Sequence, residues 1–82
     1  MLNIEHSPTF ISIFHKIKNK DERERVHKQI KKIIENPEIG KPMRHARKGT
    51  REVYIPPFRL SYAYLKSEDK IIFLDLYHKD EQ

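Results

Sequence analysis

The hydrophobic period of this chain changes once, within residues 36–40, and that change restricts the fold more than any other feature. Before it, apolar residues recur every three to four positions, as they do on one face of an α-helix. After it, β-branched and aromatic residues come in short runs separated by turn residues, which is typical of strands. The sequence therefore predicts helices first and most of a sheet second.

The first predicted helix begins at Ser7 and Pro8 and ends at residues 18–20. A serine hydroxyl accepts an amide hydrogen bond as an N-cap, and proline fits the first helical position because its missing N–H is not needed there. The apolar stripe of this helix consists of Phe10, Ile13, Phe14 and Ile17.

The second predicted helix begins at Asp21, which we take as its cap, and runs to about Glu35. It stops at Asn36 because a residue before a proline, here Pro37, is pushed out of the helical region. Its buried face is predicted to consist of Val26, Ile30, Ile33 and Ile34. A turn this short predicts that the two helices pack as a hairpin.

Three later stretches read as strands, and residues 1–5 as a further edge strand. The three are Thr50–Ile55, 58–66 and 71–77, with Pro56 and Pro57 as one turn and 66–70 as another. The last stretch is the most apolar, so we place it in the centre. The predicted fold is α+β, in the order β-α-α-β-β-β, with the helical hairpin packed on one face of a small antiparallel sheet.

A chain of 82 residues is one small domain, here taken as residues 1–82. The absence of cysteine excludes disulfides and thiolate metal sites, and nothing resembles a metal site, a phosphate-binding glycine loop or a serine-type triad. No cofactor is expected. There is no apolar run of membrane-spanning length and no signal-peptide pattern, so we expect a cytoplasmic protein without a membrane partner.

The excess positive charge of the chain lies within residues 41–62. That window contains one acidic residue, Glu52, and six basic ones: Lys41, Arg44, Arg47, Lys48, Arg51 and Arg59. Its net charge of +5 equals that of the whole chain. Three aromatic residues, Tyr54, Phe58 and Tyr62, are interleaved with the cations. Cations and rings together suit a partner with phosphates and flat bases, which is RNA or DNA.

Arg59 lies in an otherwise apolar predicted strand, with no acid nearby in sequence to neutralise it. One interpretation is a surface arginine that covers its neighbours with its methylenes. The other, which the basic window favours, is a phosphate-binding face formed with Arg44, Arg47, Lys48 and Arg51.

Other side chains have plainer interpretations. His45 and His78 lie in or beyond the basic window and could carry protons near neutral pH. Tyr54 or Tyr77 could stack a base if it faces outward. Lys28, Lys31 and Lys32 are read as a solvated helix face balanced by Glu24 and Glu35.

Five short motifs in this order resemble the RelE/ParE toxin superfamily, and its RelE-like branch in particular. They are Asn36-Pro37, Gly40-Lys41-Pro42-Met43-Arg44, Lys48-Gly49-Thr50-Arg51, Phe58-Arg59-Leu60-Ser61-Tyr62 and His78-Lys79. The resemblance covers nearly the whole chain. Two differences from the family pattern are Lys79, where an arginine is usual, and the absence of a tyrosine shortly after it.

The resemblance implies the toxin of a type II toxin–antitoxin system. RelE-type members are metal-independent endoribonucleases that cleave messenger RNA in the ribosomal A site and so inhibit translation. ParE-type members inhibit DNA gyrase, and a non-catalytic nucleic-acid-binding or decoy module is a third possibility. The implied partners are a RelB-like antitoxin, in a hetero-oligomer with the toxin, and the messenger and ribosomal RNA of the A site.

The resemblance also implies roles for particular residues. Arg51 and Arg59 fall at positions that stabilise the reacting phosphate, and Lys79 at the family's basic position near the C-terminus. Arg44, with Arg47 and Lys48, is expected to bind RNA. Proton transfer would fall to Lys79 or Lys48, if neighbouring cations lower the pKa, or to His78 as the acid.

Overall fold

The computed structural model describes residues 2–43 and 49–78. The elements are β1 (Asn3–His6), α1 (Pro8–Lys16), α2 (Lys20–Glu35), β2 (Lys41–Pro42), β3 (Thr50–Ile55), β4 (Phe58–Leu65), a 3₁₀ turn (Lys66–Glu68) and β5 (Lys70–His78). The predicted order of helices and strands is confirmed, and β2 is an addition. A two-residue strand that contains a proline leaves no alternating pattern, so the sequence does not reveal it.

The five strands form one mixed sheet in the order β1-β5-β4-β3-β2. β1 pairs in parallel with β5, from Asn3 opposite Lys70 to His6 opposite Phe73, whereas the other pairs are antiparallel. The prediction of an antiparallel sheet is therefore wrong for β1. The partner of β1 lies more than sixty residues away along the chain, and local patterning does not identify so distant a neighbour. β5 is an interior strand, as expected, but the middle position belongs to β4.

The start of α1 confirms the predicted cap. Ser7 has extended backbone angles, its Oγ accepts a hydrogen bond from the Phe10 N–H at 3.0 Å, and Pro8 opens the helix. The same Oγ donates to the Leu74 carbonyl of β5 at 2.5 Å, and the Ser7 N–H donates to the Phe73 carbonyl at 2.9 Å. Ser7 therefore both begins α1 and attaches it to the sheet.

The start of α2 differs from the prediction by two residues. Asn19 is the cap, and its side-chain oxygen accepts from the Glu22 N–H at 3.0 Å. Asp21, which we expected to be the cap, lies inside the first turn, where its negative charge complements the positive end of the helix. The helix ends at Glu35, and Asn36 follows as its C-cap, as predicted.

The hydrophobic core lies between the two helices and one face of the sheet. Phe10 and Ile17 contribute from α1 and its end, and Val26 and Ile33 contribute from α2. The sheet contributes Ile55, Leu60, Tyr62, Ile71, Phe73 and Leu76. Because alternate strand residues point to opposite faces, this core fixes which residues of β3, β4 and β5 point away from the helices.

Candidate active site

Two rows of side chains cross β3, β4 and β5 on the face opposite the helices. Directly opposed residues of antiparallel strands place their side chains on the same face. The strand register therefore aligns Tyr54, Arg59 and Tyr77 in one row, and Glu52, Ser61 and Asp75 in the next. The array combines a guanidinium, two carboxylates, two phenols and a hydroxyl on neighbouring strands.

Glu52 joins the two rows. Its Oε1 accepts a hydrogen bond from Nη1 of Arg59 at 2.8 Å, and its Oε2 accepts one from the Tyr77 hydroxyl. The Glu52 side chain is only 19% exposed and that of Arg59 32%, so bulk water screens this pair less than it would a surface pair. The expectation that Arg59 has no acidic partner is wrong, because the β3–β4 hairpin brings a carboxylate to it from seven positions earlier.

The remaining contacts of Arg59 involve its other atoms. The guanidinium carbon lies 5.7 Å from the centroid of the Tyr54 ring, within the range of a cation–π interaction. In the described part of the chain, its buried Nε–H has no hydrogen-bond partner. A guanidinium has five N–H donors, so the contact with Glu52 leaves donors for a second anion.

Arg51 does not join this array. It lies opposite Tyr62 in the register and therefore faces the helix-covered side of the sheet. Its Nη1 donates to the backbone carbonyls of Glu38 at 3.0 Å and Gly40 at 2.7 Å. The expected common phosphate-binding face of Arg51 and Arg59 is thus wrong, because adjacent strands present these two residues on opposite faces.

Tyr62 completes the junction that holds Arg51. Its hydroxyl donates to the Pro37 carbonyl at 2.8 Å and accepts from the Gly40 N–H at 3.0 Å. Burial raises the pKa of this hydroxyl above its ordinary value, and the Gly40 N–H and the Arg51 charge offset part of that rise in pKa. Tyr62 is therefore a neutral structural hydroxyl rather than a base-stacking surface.

The other predicted site residues are not brought to Arg59. His78 lies opposite Phe58, and the two rings meet edge-on at a centroid distance of 5.9 Å, on the helix-covered face. The register therefore places His78 on the face opposite Arg59, and its role as the acid stays a prediction. The predictions for Arg44, Arg47, Lys48, Lys79 and His45 fall outside the described residues.

Sequence reasoning missed Glu52, although a signal for it existed. A two-residue turn at Pro56 and Pro57 puts Ile55 opposite Phe58 and therefore Tyr54 opposite Arg59. Glu52 then lies on the same face as Tyr54, diagonally across from Arg59. Tyr77, which the sequence suggested only as a base-stacking residue, is the third residue of the cluster with Glu52 and Arg59. It lies there because β5 is next to β4 in the sheet.

A comparison with protein-family models decides the family. The model described as "ParE toxin of type II toxin-antitoxin system, parDE" matches residues 4–82, nearly the whole chain. The chain belongs to this toxin family. The resemblance inferred from the short motifs is confirmed at the level of the RelE/ParE superfamily. A comparison with curated protein sequences finds no match.

Solved structures share the toxin's fold at low sequence identity. The isolated E. coli RelE toxin superposes with a TM-score of 0.83 at 12% identity, covering 100% of this chain and 88% of that one. A toxin–antitoxin complex, RelBE2 of Mycobacterium tuberculosis, gives 0.77 at 20% identity, with coverages of 95% and 98%. YoeB from Staphylococcus aureus, solved as a dimer, gives 0.76 at 22%, with coverages of 94% and 97%. The α+β prediction is confirmed.

The described residues form neither a metal-binding cluster nor a membrane-spanning helix. Within residues 2–43 and 49–78, no three His, Asp or Glu side chains converge as a metal-binding group. Over the same ranges, no helix of the toxin is both long and apolar enough to cross a bilayer.

Proposed function

We propose that the toxin is an endoribonuclease that cleaves messenger RNA in the ribosomal A site and thereby inhibits translation. The observation that carries this proposal is the contact between Glu52 and Arg59 on the sheet face opposite the helices. A carboxylate beside a guanidinium supplies a proton acceptor next to an anion-binding group, which is what RNA transesterification requires.

In this reaction the ribose 2′-oxygen attacks the adjacent phosphorus, and the bond from phosphorus to the 5′-oxygen breaks. The products are a 2′,3′-cyclic phosphate and a free 5′-hydroxyl. The Glu52 carboxylate lies 2.8 Å from the Arg59 guanidinium, so in the proposed complex a phosphate bound to Arg59 lies next to Glu52. Glu52 is therefore the proposed general base, and it accepts the 2′-hydroxyl proton.

Arg59 is the proposed stabiliser of the five-coordinate phosphate. It is always charged, and its N–H donors can bind phosphate oxygens in pairs. Its position on the central strand, between β3 and β5, fixes the guanidinium in place. Preorganised donors of this kind act more strongly than mobile water because they need no reorientation during the reaction.

Tyr77 is the proposed positioning residue for Glu52, because its hydroxyl donates to the carboxylate oxygen that does not contact Arg59. Protonation of the 5′-oxygen is proposed for Lys79, which the family resemblance places at the basic position near the C-terminus, with Lys48 and His78 as the alternatives. The RNA-binding roles of Arg44, Arg47 and Lys48 stay predictions from the same resemblance.

The ribosome is the proposed site of action because the toxin's set of proton carriers is sparse. Orientation of the substrate in the A site can contribute on the order of 7–11 kcal/mol when the geometry is ideal. A RelB-like antitoxin is the proposed regulatory partner, in a cytoplasmic hetero-oligomer. The structural relatives from E. coli and Mycobacterium tuberculosis, described as RelBE complexes, support this partner.

Primer-extension mapping on translating ribosomes tests the assignment. Glu52→Gln keeps the shape and hydrogen-bonding capacity of the side chain but removes its basicity, so we expect cleavage to fall about 10²–10⁴-fold. Arg59→Ala removes the phosphate donors and is expected to reduce cleavage at least about 10²-fold.

The matched control is Glu68→Gln, which removes one carboxylate from the exposed turn before β5. It is expected to cleave at the wild-type rate. Circular dichroism and thermal melting establish that each variant is folded. A folded Glu52→Gln variant with wild-type cleavage contradicts Glu52 as the base, and a folded Arg59→Ala variant with wild-type cleavage removes Arg59 from the mechanism.

Inhibition of DNA gyrase is the second candidate, and the matching family model, which is described as that of a ParE toxin, favours it. In a supercoiling assay, a gyrase inhibitor blocks gyrase at stoichiometric concentration and leaves ribosome-bound RNA intact. That result would replace the ribonuclease proposal.

A further inference from the structure

A groove leads away from the Glu52–Arg59 site across the edge of β3 to helix α2. Its first part is a pocket of about 390 Å³ whose lining includes Glu52, Arg59, Lys41 and Tyr54. Its second part is a pocket of about 240 Å³ on the α2 side. Tyr54 and Gln29 line both pockets, so the two lie side by side along the edge of β3.

The groove exists because β2 is short. β2 pairs with β3 only at Arg51 and Glu52, and within the described ranges no strand covers that edge of β3 beyond them. The edge at Val53 and Tyr54 therefore opens onto the side of α2. Tyr54 is 50% exposed there.

The α2 wall of the groove is cationic. Arg25, Lys28 and Lys32 line the second pocket at a spacing of three and four residues, which places them on one face of the helix. Within residues 2–43 and 49–78, none of the three cations lies within 4 Å of a carboxylate. Lys28 and Lys32 therefore form no ion pairs with Glu24 or Glu35, the acids expected to balance them. Arg25 is held over the hairpin turn by a 2.8 Å hydrogen bond to the Pro56 carbonyl.

We propose that this groove binds a single strand of RNA, with phosphates on Arg25, Lys28 and Lys32 and a base on the Tyr54 ring. Charge complementarity favours this occupant, because the α2 wall carries cations and no carboxylate. An exposed ring amid cations is the arrangement that holds single strands without reading their sequence. The inference rests on the proposed function, since the groove would guide the strand that Glu52 and Arg59 cut.

Binding is measured separately from cleavage, so that the groove and the proposed chemistry can fail independently. The probe is a fluorescent, 2′-O-methylated RNA of about 12 nucleotides, a length within single-strand site sizes. It cannot be cleaved, because it lacks a free 2′-hydroxyl. Fluorescence anisotropy gives its Kd as a function of salt concentration.

The charge test is the double variant Lys28→Gln/Lys32→Gln. Each lost phosphate contact weakens single-strand binding about fivefold at about 0.1 M salt. The double variant is therefore expected to bind the probe about 10- to 25-fold more weakly than the wild type, and its Kd should depend less steeply on salt concentration. The matched control, Lys16→Gln/Lys18→Gln, removes the same charge from exposed residues at the end of α1 and is expected to bind within about twofold of the wild type.

The ring test compares Tyr54→Leu with Tyr54→Phe. Phenylalanine keeps the stacking surface and is expected to bind within about twofold of the wild type, whereas leucine is expected to lose about tenfold. A wild-type chain that does not bind the probe, or equal affinities for the two lysine double variants, overturns the groove proposal.

A third outcome concerns the class of partner. A glutamate-rich peptide of equal length and charge serves as the competing probe. Suppose that the peptide binds the wild type more tightly than the RNA does, and that Lys28→Gln/Lys32→Gln abolishes peptide binding. The groove is then a protein-docking surface and the RNA proposal is wrong. The cleavage test of Glu52 and Arg59 decides the proposed function regardless of these outcomes.

Discussion

At the scale of single residues, Tyr62 and Gly40 hold the end of α2 against the sheet. Tyr62 is fully buried in β4, and its hydroxyl joins the Pro37 carbonyl to the Gly40 N–H. Arg51 then binds the carbonyls of Glu38 and Gly40. The segment between α2 and β2 is thus anchored by two side chains of the sheet, which also places Lys41 beside the groove.

Tyr62→Phe is expected to lower the free energy of unfolding by about 1–3 kcal/mol, because the Gly40 N–H and the Pro37 carbonyl lose their buried partner. The pH dependence is also expected to change. In the unfolded chain, Tyr62 loses its proton as the pH rises through the ordinary tyrosine pKa of 10.0. In the folded chain its pKa is raised, so the hydroxyl keeps the proton at that pH. The free energy of unfolding of the wild type should therefore fall as the pH rises through 10, and less steeply in the variant.

Urea unfolding from pH 8 to 11 measures both quantities. Tyr64→Phe, on the same strand and half-buried, is the matched control for the removal of a tyrosine hydroxyl. Equal slopes for the wild type and Tyr62→Phe would contradict the role of Tyr62.

Gly40→Ala tests the packing of the same junction. An added Cβ would lie 2.8 Å from the Tyr62 hydroxyl oxygen, 2.9 Å from its Cε1 and 3.1 Å from the Arg51 Cβ. Overpacking of this kind costs about 1–3 kcal/mol. In Gly40→Ala/Tyr62→Phe the closest of these contacts is gone. We therefore expect the loss of unfolding free energy in the double variant to be smaller than the sum of the losses in the two single variants. Strict additivity, measured by urea unfolding, would argue against the clash.

At the scale of elements, the two helix caps have the same chemistry but different connections. Ser7 caps α1 and also donates to the carbonyl of Leu74, which has no partner on β4 at the register shift between β4 and β5. Asn19 caps α2 at an exposed position. The Ser7 cap therefore connects α1 to β5 at the register shift, whereas the Asn19 cap stabilises only α2.

Ser7→Ala is accordingly expected to destabilise the toxin by about 2 kcal/mol and Asn19→Ala by about 1 kcal/mol. For a domain of this size, these changes lower Tm by about 8–16 °C and about 4–8 °C respectively. Thermal melting followed by circular dichroism checks the order, and an equal or larger loss in Asn19→Ala would contradict the coupling of Ser7 to β5.

At the scale of the whole molecule, the sheet separates the functions of its two faces. One face packs on the helices, and the other carries the array around Arg59. Expression of the toxin in cells is expected to arrest growth, with incorporation of labelled methionine falling before that of thymidine, because the proposed target is translation. The arrest should be lost in Glu52→Gln, kept in Glu68→Gln, and relieved by co-expression of the antitoxin. Thymidine incorporation falling first would instead indicate gyrase.

The sequence by itself determined the helices, the later strands and the family. Ser7–Pro8, the apolar stripes and Asn36–Pro37 act within a few residues of one another, so their physics can be read directly from local spacing. The five motifs likewise identify the superfamily, and the family match over residues 4–82 confirms them.

Only the tertiary structure decided which of these residues meet. The parallel pairing of β1 with β5, the separation of Arg51 from Arg59 and the partnership of Arg59 with Glu52 all depend on strand register and on which face the helices cover. Because successive strand residues alternate between faces, a count of cations in one window cannot reveal whether they share a surface. Arg51 and Arg59 are eight positions apart in sequence and lie on adjacent strands. Arg51 lies opposite the buried Tyr62 and Arg59 lies opposite the exposed Tyr54, so the two side chains point to opposite faces of the sheet.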